Sequence, residues 1–131
     1  MESPLRFAEH LGLPARQPET LKDWYVRALG AELIFQQPPA FFLRLPGGLL
    51  IEIYGATGDT AATRDNGVAG WRHLALRVDS IETARQILEA RGVTFDEPVK
   101  PAGGGGRVLF FRDAEGNLLH LVERPAGSVF A

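Results

Sequence analysis

No cysteine occurs in the chain, so it has no disulfide framework and no thiol chemistry. It lacks a surplus of positive charge: 14 basic residues stand against 16 acidic ones, a net charge of −2. That balance argues against nucleic acid or an anionic membrane as the main partner. No apolar run approaches the roughly 18 residues needed to cross a bilayer. The first residues lack the basic segment and apolar stretch of a secretory signal, so a soluble cytoplasmic protein is expected. Histidine is scarce, with three in 131 residues, and each therefore has to be accounted for. An apolar share of 45% is ordinary for a globular protein and too high for a disordered one, and the length suits one compact domain over 1–131.

What the chain does have is a repeat. The stretch Trp71-Arg-His-Leu-Ala-Leu-Arg-Val-Asp-Ser-Ile-Glu-Thr83 is a short apolar strand with a histidine in it, followed by a helix start. It is echoed by His10-Leu11-Gly12-Leu13, with Glu19-Thr20 as far past His10 as Glu82-Thr83 is past His73. Both copies then enter an apolar helix closed by a glycine, Gly30 or Gly92. Phe41-Phe42-Leu43-Arg44 aligns with Leu109-Phe110-Phe111-Arg112, Gly48 with Gly116, and Leu50-Ile51-Glu52-Ile53-Tyr54 with Leu118-Leu119-His120-Leu121-Val122. Two copies of about fifty residues are too few for a solenoid, and a paired architecture follows.

The expected order is strand, helix and three strands, twice: module one over 5–54, a linker over 55–70 and module two over 71–124. A strand covers 5–13, Pro14–Pro18 turn, and Leu21, Trp24, Tyr25, Ala28 and Leu29 form one helical stripe. Strands near 31–36, 40–45 and 48–54 complete module one. In module two a strand over 71–78 leads to a helix capped by Asp79 and Glu82, with Ile81, Ala84, Ile87 and Leu88 buried. Strands near 93–96, 107–112 and 117–123 follow. The Gly103–Gly106 run lacks the Lys-Ser/Thr ending of a phosphate-binding loop and is expected to be a mobile lid. The tail from Pro125 is expected to be loosely held.

All three histidines fall at matched positions of the repeat. His10 and His73 lie on the opening strands, His120 on the last strand of module two, and Glu52 is its counterpart in module one. Strand parity puts the four on the sheet face away from the helix, and they would converge if the modules curve around a shared cleft. Imidazole with carboxylate suits a divalent metal: zinc, nickel, cobalt, iron or manganese. A lone histidine more often satisfies a core hydrogen bond; four ligand-type residues at matched positions favour metal. Arg44 and Arg112 are also repeat-equivalent, as candidates for a substrate carboxylate or phosphate or for framework ion pairs. Tyr54, Trp71 and Phe110 are candidates to line an apolar pocket beside the metal.

This pattern resembles the vicinal-oxygen-chelate superfamily, which includes glyoxalase I, methylmalonyl-CoA epimerase, extradiol dioxygenases and the fosfomycin and bleomycin resistance proteins. Trp24-Tyr25…Leu29-Gly30 resembles the family's helix end, and Phe111-Arg-Asp-Ala-Glu-Gly-Asn-Leu-Leu119 its Asp-Pro-x-Gly-Asn turn, with Ala114 in place of proline. The resemblance covers 5–124. It implies an α+β fold of two βαβββ modules forming a curved mixed sheet around a metal-binding cleft, with His10, Glu52, His73 and His120 as ligands. It further implies a homodimer and a metal-dependent lyase or isomerase akin to glyoxalase I (lactoylglutathione lyase). The metal would chelate vicinal oxygens of a small substrate and stabilise an enediolate-like charge, with His120 and Glu52 as catalytic groups. Bacterial glyoxalase I has His, Glu, His, Glu at these positions; this chain departs at the fourth, His120. The alternatives are an iron(II) dioxygenase using His10, His73 and Glu52, and a resistance-type protein that sequesters a ligand without catalysis.

Overall fold

The computed structural model describes residues 2–59 and 64–130, so residues 60–63 of the expected linker lie outside the described residues. The chain divides into two compact units, Met1–Asp59 and Thr60–Ala131. Unit one contains β1 (His10–Ala15), α1 (Pro18–Leu29), β2 (Glu32–Gln37), β3 (Ala40–Arg44) and β4 (Leu50–Gly55). Unit two contains β5 (His73–Arg77), α2 (Ile81–Ala90), β6 (Lys100–Pro101), β7 (Arg107–Arg112) and β8 (Leu118–Glu123). The strand orders are β1-β4-β3-β2 and β5-β8-β7-β6. In each the first strand runs parallel to the last and the remaining pairs are antiparallel. The repeat in the sequence is therefore a repeat in topology.

Alternation along the strands explains the burial. Phe41, Leu43, Ile51 and Ile53 point from β3 and β4 toward α1, whose Leu21, Trp24, Tyr25 and Ala28 are buried. Leu21, Leu43 and Ile53 have no exposed surface; such burial contributes roughly 1.5–3 kcal/mol per side chain. In unit two, Leu109, Phe111, Leu119 and Leu121 do the same beneath Ile81 and Leu88 of α2. Pro18 opens α1 and Gly30 closes it at φ 70°, a left-handed conformation that glycine adopts without a Cβ penalty.

Several expectations are corrected. The first strand begins at His10, because β4 offers partners only as far as that residue. It continues through Pro14 to Ala15, and this proline is tolerated because β1 is an edge strand, where a missing N–H costs no ladder bond. The cap of α2 is Ser80, whose Oγ accepts from the Thr83 N–H, while Glu82 turns instead to Arg107. Ile87 is 47% exposed. Residues 93–96 join no ladder: Val93 and Phe95 are buried as an apolar strap, and the pairing strand is Lys100–Pro101. The tail is tied down, with the Phe130 carbonyl accepting from Arg77 and its ring 4.0 Å from the Arg124 guanidinium.

The glycine run is a hydrogen-bonded hairpin turn. Ala102 N–H donates to the Gly106 carbonyl, and Arg124 donates to the carbonyls of Gly103 and Gly105 at 2.5 and 2.8 Å. The next turn, Asp113–Gly116, is organised by Asp113, whose buried carboxylate accepts from the Glu115 and Asn117 N–H groups and the Asn117 amide.

Arg107 ties β7 to the start of α2 by donating to both oxygens of Glu82 and of Glu123, while Glu123 also accepts from the Ile81 N–H at 2.7 Å. The Arg107 hydrogen bonds lower the Glu82 carboxyl below its usual range. The Ile81 N–H, then Arg107, lowers that of Glu123. Stability from these groups is present above the ordinary carboxylate range and is lost as pH falls through the depressed values. Arg107→Met is therefore expected to weaken the protein at pH 7 and to change it little at pH 2.5. Urea denaturation at the two pH values checks this; an equal loss at both would exclude the charge contribution.

Candidate metal and substrate site

The ladder registers fix which side chains share the face opposite each helix. In unit one Glu52 is opposite Gly12 on one side and Phe42 on the other, and His10 is opposite Leu50. The His10 Nε2 lies 3.5 Å from a Glu52 carboxylate oxygen. Tyr54, two residues beyond Glu52 on the same face, stands over Gly12: a Cβ there would be 3.3 Å from the phenol oxygen. Glycine at position 12 thus makes room for the tyrosine beside the His10–Glu52 pair. Phe42 meets the His10 ring edge-on at 5.5 Å.

In unit two His120 is opposite Ala75 and Phe110, and His73 is opposite Leu118. The two imidazoles lie 4.7 Å apart, and the Phe110 ring is 4.8 Å from His120. His120 is 6% exposed. Burial, with smaller contributions from His73 and Arg124, lowers its pKa below the ordinary imidazole range, against the raising effect of its bond to the Leu121 carbonyl. It is therefore a neutral nitrogen ligand or base at physiological pH.

The three histidines share one further feature. His10 Nδ1 is 3.0 Å from a Glu9 carboxylate oxygen, His73 Nδ1 is 2.7 Å from the Asn66 amide oxygen, and His120 Nδ1 is 3.2 Å from the Leu121 carbonyl. Each of these partners is an acceptor, an arrangement that suits a proton on Nδ1 of His73 and His120, whereas His10 has a carboxylate beside each ring nitrogen. Ligating histidines are held in this way by an acceptor on the nitrogen that does not bind the metal. Glu9 and Asn66 escaped the sequence reading. Glu9 had the signal of direct adjacency to His10, whereas Asn66 sits in an aperiodic polar segment that gives none. Among the described residues, no three or more histidine, aspartate or glutamate side chains are grouped so that they could hold a metal ion.

The other candidates take varied places. Arg44 reaches Glu32 at 3.3 Å on an exposed surface. Arg112 donates to the carbonyls of Arg64 and Gly116. Trp71 is 93% exposed. Phe110 and Arg112, with Asn66, Lys100, Leu118 and Arg64, border a depression of about 420 Å³ in unit two. Lys100 lies over the Phe110 ring, 5.5 Å from its centroid, and pairs with Glu97. Among the described residues no helix is long and apolar enough to cross a membrane.

Residues 8–121 match the family described as the Glyoxalase/Bleomycin resistance protein/Dioxygenase superfamily. The chain belongs to this superfamily. As a superfamily member it is similar to biphenyl-2,3-diol 1,2-dioxygenase 3 of Rhodococcus globerulus, 24% identical over 114 residues, which are 86% of this chain and 60% of that protein. The chain thus spans about three-fifths of that curated relative. The crystal structure of a glyoxalase family protein from Enterococcus faecalis superposes with a TM-score of 0.74 at 27% identity, covering 90% of this chain and 98% of that one. The fosfomycin resistance protein FosX of Listeria monocytogenes shares the fold, with a TM-score of 0.71 at 22% identity and 93% of each chain covered. Two four-stranded mixed sheets, each with one helix, are the architecture expected of the family.

Proposed function

We propose that this superfamily member is a divalent-metal-dependent lyase or isomerase, akin to glyoxalase I, acting on a small substrate with two neighbouring oxygens. The observation that carries the reading is that each imidazole meets an acceptor through Nδ1, with the Nε2 of His10 turned to Glu52, on the strand faces that bear Glu52 and its counterpart His120. A site of three nitrogens and one carboxylate fits zinc, nickel, cobalt, iron(II) or manganese. FosX of Listeria was crystallised with manganese(II), which is compatible with such a set. One pair of ligands is too few for a resident ion, so the reading requires His10, Glu52, His73 and His120 to serve one ion. The bound ion would act as a Lewis acid toward both substrate oxygens.

The chain's own residues supply the rest. Glu52 and His120 are the two groups able to move a proton between substrate carbon and oxygen: Glu52 through a carboxylate oxygen facing His10, His120 through a nitrogen kept neutral by burial. A group bound to the ion cannot also be the base, so Glu52 or His120 would have to be freed from the ion to carry the proton. Phe42 and Phe110 flank the two pairs and give each one apolar side. The reading takes the protein as a homodimer, which sedimentation equilibrium tests directly.

Purified protein dialysed against Zn(II), Ni(II) or Mn(II) is expected to retain about one equivalent per chain, the capacity of a single four-ligand site. The metal-loaded protein is expected to isomerise a hemithioacetal, and chelation is expected to abolish that activity. A protein that binds no divalent metal refutes the reading and leaves ligand sequestration. A second reading, an iron(II) dioxygenase, is favoured by the likeness to the Rhodococcus enzyme and by His10, His73 and Glu52 as a two-histidine, one-carboxylate set. Oxygen uptake with iron(II) and a catechol, without hemithioacetal turnover, selects it.

A further inference from the structure

We propose that Asn66 is the positioning residue of His73, fixing the imidazole as its Nδ1–H tautomer so that Nε2 is presented bare to a metal. The inference rests on the metal reading above and adds the device that prepares one ligand in advance. His73 begins β5 and is exposed; its ring lies 4.7 Å from that of His120 and 6.0 Å from that of Phe110, contacts that leave its tautomer without a constraint. The 2.7 Å contact to the Asn66 amide oxygen supplies that constraint from seven residues upstream.

Asn66 is itself held. It is the second residue of a turn in which the Asp65 carbonyl accepts from the Val68 N–H and the Asp65 carboxylate accepts from the Gly67 N–H at 2.9 Å. The preceding residue is fastened to the β7–β8 turn: Arg64 Nε donates to the Glu115 carbonyl, and Arg112 donates to the Arg64 carbonyl. The ordered Asp113–Gly116 turn therefore fixes the segment that fixes the imidazole, and Arg112 acts here as an anchor. Of the three acceptors on Nδ1, the Leu121 carbonyl is backbone and Glu9 adds a negative charge. Asn66 alone is a neutral side chain, so it sets the tautomer without adding charge.

Asn66 is exposed, and replacing it leaves the core untouched. Two-bond proton–nitrogen correlation spectra of the metal-free full chain read the tautomer of His73. The wild type is expected to show Nδ1–H. Asn66→Leu is expected to shift His73 toward Nε2–H, the form a free imidazole side chain favours, and to weaken Zn(II) affinity by about 10- to 100-fold. Asn66→Asp, which keeps an acceptor oxygen, is expected to restore both readouts. A wild-type His73 in the Nε2–H form, or a tautomer indifferent to residue 66 in a protein that binds Zn(II), overturns this inference alone. A wild-type protein that binds no Zn(II) overturns the metal reading and this inference with it.

Discussion

His120→Gln is expected to yield a folded protein whose Zn(II) affinity is lower by more than about 100-fold, since losing even a partner of a ligand costs about 10- to 100-fold. Glutamine is close in volume to histidine and keeps a polar tip for the Leu121 carbonyl, so the space beside Phe110 stays filled. Titration calorimetry with Zn(II) checks the affinity. A variant that binds within threefold of the wild type would remove His120 from the ligand set. His73→Ala is expected to match the loss of affinity with little loss of stability, because His73 is exposed.

The same residue sets a pH dependence whose sign follows from its environment. Burial holds folded His120 below the imidazole range, whereas in the unfolded chain it takes a proton near pH 6.5. Between the two values the unfolded chain binds more protons. Stability tied to neutral His120 is therefore present above about pH 6.5 and is lost as pH falls through the folded value. Metal-free wild type should lose this portion of its stability between pH 7.5 and pH 5, and His120→Gln should not. With metal bound the slope should steepen, since protons and metal compete for the same nitrogens.

The fold could be read from the sequence because duplication and parity act together. Ile51 and Ile53, or Leu119 and Leu121, leave one inward face on each last strand, and that puts Glu52 and His120 on the other. The turn chemistry of Asp113 through Asn117 was equally legible, since a carboxylate followed by glycine and asparagine has few other uses. What escaped was set by partners distant in sequence. Glu82 has the spacing of a capping box, but Arg107, 25 residues on, takes its carboxylate, and Ser80 caps in its place. Ile87 fits a helical stripe yet faces solvent, because periodicity shows which residues share a face and not how wide the covering sheet is. The tail looked free because nothing local announces that Arg77 and Arg124 will hold Phe130. Asn66 was hidden for the same reason: its value lies in a single contact made across a loop.

Gly106→Ala is expected to cost more than about 4 kcal/mol of stability, a loss beyond the ordinary range for a point substitution. Gly106 has φ 98°, where an L side chain is strained by about 1–3 kcal/mol on backbone grounds alone. The larger cost is steric. An added Cβ would stand 1.9 Å from the Glu123 carbonyl oxygen and 2.9 Å from its carbon, both backbone atoms of the adjacent strand. Neither can yield without opening the ladder where Arg107 pairs with Glu123, and that ladder places the Arg107 side chain against Glu82 and the start of α2. Gly103 is the control within the same run: nothing lies within 4 Å of its added Cβ and its φ is not positive, so Gly103→Ala should be nearly neutral. Gly105→Ala, with φ 97° but with only Pro125 side-chain atoms at ordinary contact distance, should fall between them at about 1–3 kcal/mol of backbone strain. Urea denaturation of the three variants is expected to give the order Gly103, Gly105, Gly106 in rising cost. Equal costs would mean that the four glycines form an open lid rather than the hairpin turn stitched by Arg124.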